Sequence, residues 1–206
     1  MTAVHDFVAA VRPGDHMVLF YETLEFKHEV LFTYLESGLE KETTALYISH
    51  KEPANDILSS MQSFGIDMER YARTGLFELW EITRDLQPAH VSPLSNNQAP
   101  FGRQKDSLAL LKGYLEGKTI EKPVVVVADD PLHNMEPQMT VNFEKFHSLN
   151  LEQTPMSMIC TYSIDEISHQ RNLFLDLIQT HQHIIIQTYG ALISSKDRRH
   201  GYNLVV

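Results

Sequence analysis

Residues 16–49 read HMVLFYETLEFKHEVLFTYLESGLEKETTALYIS, and this stretch decides the fold class. His16–Tyr21 is a short, almost wholly apolar run of strand length, and Thr44–Ser49 is a second. Between them Val30, Leu31, Tyr34, Leu35 and Leu39 recur at helical spacing. Gly38 and the charged turn Glu40-Lys41-Glu42 are expected to close that helix. Strand, turn, helix, turn, strand is the opening of a nucleotide-binding α/β fold. A phosphate-cradling turn needs glycine, because the backbone must approach the anion closely and adopt positive φ. Here the turn reads Tyr21-Glu22-Thr23-Leu24-Glu25-Phe26-Lys27-His28, with bulk and negative charge instead.

The same alternation continues outward. Leu76–Glu81, Val124–Ala128, Met156–Tyr162 and His183–Gln187 are further strand candidates, and Val124-Val125-Val126-Val127 suits a strand covered on both faces. Pro53 can open a helix that buries Ile57, Leu58, Met61 and Phe64 and ends at Gly65. Met68–Arg73 should stop at Gly75, and Gln104–Leu115, Gln138–Leu149 and Gln170–Gln179 complete the helices. Thr83–Gly102, rich in proline, serine and asparagine, reads as one long loop. After Gln187, Ala191–Ser194 and Asn203–Val206 each read as an edge strand. The expectation is one α/β domain over residues 1–206, a three-layer αβα sandwich with a mainly parallel central sheet. Its core spans about 14–187, with 188–206 as an extension.

Composition narrows the function. A net charge of −10 argues against a nucleic-acid surface, and the basic run at Lys196–His200 includes an acid and reads as solvated. No apolar run is long enough to span a bilayer, and no secretory leader is recognisable, so a cytoplasmic protein without membrane contact is expected. Cys160, the only cysteine, lies in the apolar run Met158–Tyr162 and reads as a buried core thiol.

With its elements placed, the chain resembles the RecA/KaiC-like ATPase superfamily. More closely it is similar to the MEDS domain, the methanogen/methylotroph DcmR sensory domain, a degenerate relative of those ATPases. The likeness rests on GDHMVLFYE at Gly14–Glu22, VLFTYLESGLEKETTALYIS at Val30–Ser49 and EPANDILSSMQSFGID at Glu52–Asp67. GLFELW at Gly75–Trp80, MICTYSIDEIS at Met158–Ser168 and LFLDLIQTH at Leu173–His181 continue it. The resemblance implies a RecA-like sandwich used as an input module in signalling and transcriptional regulation. Such domains often adjoin a DNA-binding or kinase module; no such motif follows here, so a separate signalling or regulatory protein is the expected output partner.

Carried over residue by residue, the resemblance puts Lys27 at the P-loop lysine position and His28 at that of the magnesium-binding hydroxyl. Tyr21, Leu24 and Phe26 replace the glycines. Lys27 by itself reads as a surface lysine pairing with a nearby glutamate. After strand two the family's glutamate pair becomes Lys51-Glu52, and Glu52 before Pro53 reads as favouring the helix start. The run VVVVA leads into Asp129-Asp130, which either caps the loop Asp130-Pro131-Leu132 or lines a ligand crevice. The candidate pocket, at the carboxyl ends of the strands, comprises Tyr21, Glu22, Lys27, His50, Lys51, Glu52, Asp129, Asp130 and His133.

Eleven histidines invite a metal check. His181 and His183 would share one strand face, but two ligands do not make a site. A third would have to come from His50, His133 or an acid, while His16, at a strand start, lies at the wrong end for the crevice. No metal, no cofactor and no catalytic residue is therefore expected, nucleotide being disfavoured. The leading expectation is a sensory or adaptor domain that binds a small-molecule ligand or a partner protein. A KaiC-like ATP-binding protein, supported by Lys27, Glu52 and Asp129, is the alternative. A pure interaction module, self-association included, is the third.

Overall fold

A computed structural model of the chain describes residues 2–82, 88–91, 122–133, 135–151, 154–187, 191–194 and 203–205. Helix α1 (Thr2–Ala9) precedes β1 (His16–Tyr21), α2 (Leu24–Glu40) and β2 (Thr44–Ser49). Then come α3 (Ala54–Phe64), α4 (Met68–Thr74), β3 (Phe77–Ile82) and β4 (Pro88–Val91). Strand β5 (Val124–Asp129) leads through a 3-10 turn at Pro131–His133 to α5 (Pro137–Asn150) and β6 (Met156–Ser163). A short α6 (Ile164–Ile167), α7 (Arg171–Thr180), β7 (His183–Ile186), β8 (Ala191–Ser194) and β9 (Asn203–Val205) complete the described elements.

The strands form a single sheet in the order β4-β3-β2-β5-β6-β1-β7-β8-β9. Pairings among β3, β2, β5, β6, β1 and β7 are all parallel, and β4, β8 and β9 add antiparallel edges. All six residues of β1 are buried, as its apolar run requires of a central strand. Strand alternation sends Met17, Leu19 and Tyr21 to one face, against α1, α2, α3 and α4. Val18 and Phe20 go to the other, against α5 and α7. This is the expected three-layer sandwich. Among the described residues no helix is long and apolar enough to cross a membrane.

Local chemistry sets the boundaries. Thr23 caps α2, its hydroxyl accepting from the Phe26 amide at 3.3 Å, and Asp67 caps α4 through the Arg70 amide at 3.0 Å. Gly65 and Gly75 end α3 and α4 with φ of +111° and +66°, where a side chain would be strained.

Three sequence expectations change. Helix α1, unanticipated, buries Val4 and Val8 against the core. The expected long loop Thr83–Gly102 contains β4, which pairs with β3 through Trp80 and His90; the remainder of that stretch and the helix expected at Gln104–Leu115 lie outside the described residues. The charged turn closes α2 as expected, at Glu40 with Lys41 as its cap, but Gly38 lies within the helix and does not end it. Its role is close approach: a Cβ there would stand 2.8 Å from Val125 Cγ2, so α2 lies directly on β5. Gly38→Ala should therefore destabilise the protein by about 1–3 kcal/mol despite alanine's better helix propensity. Urea unfolding monitored by circular dichroism checks this.

Candidate functional site

The carboxyl ends of β1, β2 and β5 converge on one lysine. Lys27, in the first turn of α2, is fully buried. Its Nζ contacts Glu52 Oε1, Asp129 Oδ1 at 2.9 Å and Asp130 Oδ2 at 3.4 Å. An ammonium has three protons, and here three carboxylates surround them. The lysine is not the surface residue its sequence neighbourhood suggested. Its partners lie 25, 102 and 103 positions away, a proximity that only the folded chain creates.

Each carboxylate has further partners. Asp129 Oδ2 accepts from the Tyr47 hydroxyl at 2.9 Å, and Oδ1 accepts from Thr161 Oγ1 at 2.8 Å. Asp130 Oδ2 accepts from the Tyr21 hydroxyl at 2.5 Å, and the Asp130 amide donates to Thr161 Oγ1 at 3.0 Å. Asp130 has φ of +51°, an arrangement that turns the chain at the end of β5 and that Asp tolerates better than most residues. Glu52 also meets His28 Nε2 at 3.0 Å. The expectation that Glu52 serves the start of α3 is corrected: Glu81 Oε2 accepts the Ala54 amide, at 2.9 Å.

Burial and charge set the protonation of this group. Burial alone would lower the Lys27 pKa, but Asp129, Asp130 and Glu52 more than offset it and hold the ammonium charged. Burial opposes ionisation of Glu52, yet its bonds to His28 and Lys27 draw it down to about 2. Asp130 is pushed up to about 7, by burial first and then by the charge of Asp129. Burial and then Asp130 raise the Tyr21 phenol well above its usual range.

The turn before α2 is equally occupied. The Gln187 side-chain oxygen accepts from the amides of Glu22 and Thr23 at 2.6 and 2.9 Å. Its carboxamide nitrogen donates to Thr23 Oγ1 at 3.1 Å. These amides are the groups a glycine-rich turn would offer to phosphate.

The nine expected pocket residues thus divide. Tyr21, Lys27, Glu52, Asp129 and Asp130 form one network. His50 is buried beside it, its amide donating to the Asp129 carbonyl at 3.1 Å, and burial followed by the charge of His133 lowers its pKa to about 4. Lys51 points away to Glu166 Oε1 at 2.8 Å, Glu22 joins through its backbone amide, and His133 ends the 3-10 turn after β5, its amide donating to the Asp130 carbonyl at 3.0 Å. Tyr47, Thr161 and Gln187 belong to the site but were not singled out from the sequence. Strand order alone brings them in: β2 and β6 flank β5, and β7 flanks β1.

The family model described as MEDS, the MEthanogen/methylotroph, DcmR Sensory domain, matches residues 15–182. The chain belongs to the MEDS family. No curated protein matches the sequence. Among solved structures, a KaiC-like protein from the hyperthermophilic archaeon Pyrococcus horikoshii OT3 superposes with a TM-score of 0.60 at 15% identity, covering 93% of this chain and 84% of the other. A second Pyrococcus horikoshii OT3 protein gives 0.59 at 9% identity, covering 98% and 97%. At such identities the likeness is one of fold: the three-layer sandwich of this MEDS domain is shared with both structures.

Removing the central cation from the MEDS network should be severe, because it leaves buried carboxylates uncompensated. Lys27→Met is expected to cost roughly 3–5 kcal/mol, with Lys27→Met/Asp129→Asn recovering part of the loss. Chemical denaturation of the four proteins of that cycle tests it.

Asp130 gives a pH signature. A carboxyl raised from 3.8 to about 7 contributes stability that is complete below pH 3.8 and is lost as pH rises through 7. Glu52, depressed to about 2, acts oppositely: its contribution is present above pH 4.5 and is lost as pH falls toward 2. Between roughly pH 5 and pH 8 the wild-type melting temperature should fall relative to that of Asp130→Asn, as read by thermal scans in matched buffers.

Proposed function

We propose that this MEDS domain is a non-hydrolytic sensor that acts by binding, its nucleotide site having been replaced by an internal ion-pair network. The observation that carries this reading is the fully buried Lys27 ammonium, held by Glu52, Asp129 and Asp130. A triphosphate would have to separate Lys27 from these carboxylates inside the protein. It would also have to displace Gln187 from the Glu22 and Thr23 amides. Like charge stands in the way as well, since three carboxylates face one lysine. Tyr21 adds bulk, its ring centroid 5.0 Å from Lys27 Nζ.

The crevice over the carboxyl ends of β1, β2 and β5 then serves a small-molecule ligand or a separate regulatory protein, as is usual for open α/β sheets. Ligand identity is not carried by the fold. Output is through a partner, in signal transduction or transcriptional regulation, in keeping with the sensory family.

One observation favours a second reading. Lys27, Glu52 and Asp129 meet where a KaiC-like ATPase would hold its lysine, base and magnesium-orienting acid. In a nucleotide-free ATPase those charges could pair among themselves. Calorimetry with magnesium-ATP and phosphate-release assays separate the two. The expected result is no saturable binding, no turnover, and a melting temperature unmoved by millimolar nucleotide. Turnover that Lys27→Ala abolishes would establish the ATPase reading instead.

A further inference from the structure

At the opposite ends of the strands, on the opposite face of the sheet, lies a second buried polar cluster that the sensory reading does not use. His16 opens β1, Glu144 projects from α5, Cys160 lies within β6, and His181 sits between α7 and β7. All four are at most 1% exposed, and one donor atom from each lies within 4.8 Å of every other.

The separations are those of a coordination shell. Glu144 Oε2 is 3.2 Å from His16 Nε2, 3.2 Å from His181 Nε2 and 3.4 Å from Cys160 Sγ. Cys160 Sγ is 3.7 Å from His16 Nε2. Bonds of zinc length at tetrahedral angles put N, O and S donors roughly 3.3–3.6 Å apart.

Hydrogen bonding points the same way. His181 Nδ1 lies 2.6 Å from the Leu177 carbonyl oxygen, which can only accept, so that nitrogen carries a proton. In the neutral ring, Nε2 then presents a lone pair to a carboxylate oxygen. It has no hydrogen-bond partner although fully buried. Two electron-rich atoms facing each other in a dry interior call for a cation between them, a proton or a metal ion. An Nδ1–H to carbonyl bond is also how a metal-bound histidine is usually oriented. Glu144 is steered similarly, its other oxygen accepting from the Tyr162 hydroxyl.

We propose that His16, Glu144, Cys160 and His181 form a closed four-coordinate site for a divalent transition-metal ion of the zinc class. Two imidazoles, a thiolate and a carboxylate match that class, whereas magnesium and calcium prefer oxygen-only shells. Binding forms a metal–sulfur bond and releases the Cys160 thiol proton to solvent. With all four donors buried, the ion is structural, and it ties α5, β1, β6 and the entry to β7 together.

The test uses the full chain. Protein from zinc-supplemented growth should retain about one equivalent of zinc, and stripped protein should melt lower until zinc is restored. Cobalt(II) added to stripped protein should give intense tetrahedral d–d bands and a thiolate-to-cobalt charge-transfer band. Cys160→Ser should remove the charge-transfer band, and His181→Gln should weaken affinity by at least about 100-fold. His147→Gln should change neither. Zinc held equally well by Cys160→Ser and His181→Gln, an octahedral cobalt spectrum without charge transfer, or no bound metal would each overturn the proposal. If the substituted proteins do not fold, the wild-type cobalt spectrum decides alone.

Discussion

A lysine ammonium enclosed by carboxylates is the constraint on which this architecture turns. A charge at full burial is tolerated only with opposite charge and hydrogen bonds around it, so the position of Lys27 dictates where its neighbours must be. Strand β5 has to deliver Asp129 and Asp130, and the segment after β2 has to deliver Glu52. Tyr47 and Thr161 then have to reach Asp129 from the two strands beside it. A register slip of one residue in β5 would turn Asp129 to the other face and take from the cation one of its three acids. The network thus acts as a check on sheet assembly as well as a feature of the surface above it.

The scaffold was legible in the sequence because its signals are local. Six parallel strands announce themselves as short apolar runs, and Gly65 and Gly75 mark helix ends by a conformation only glycine adopts cheaply. What was not legible depended on distance in the chain. Nothing around Lys27 says that two of its acids lie more than a hundred residues ahead, and a nearby glutamate is the sensible local guess. Gly38 shows the same limit, since a glycine near a helix end looks like a stop until Val125 is seen against it. The Asp129-Asp130 pair was recognised, but which of its two roles held depended on strand order.

Among the described residues, two buried clusters of charged and polar side chains occupy opposite ends and opposite faces of one sheet. Both are assembled around β1, which supplies Tyr21 at one end and His16 at the other. Parallel sheets of this kind are covered on both sides, so each polar group inside must find its complement among side chains rather than in water. The sequence reading set His16 aside because a strand start is the wrong end for the crevice. Its partners lie instead on the opposite face, at Glu144, Cys160 and His181.

Gln187 carries a mechanical consequence. Its carboxamide leaves the end of β7 and grips the loop that follows β1, while the antiparallel pair β8 and β9 hangs from β7 on the far side. The loop above Lys27 and the strand that carries the antiparallel edge are therefore joined twice, by the β1–β7 ladder and by the Gln187 side chain. Through that side chain the end of β7 is tied directly to the amides of Glu22 and Thr23, at the entry to the helix that carries Lys27.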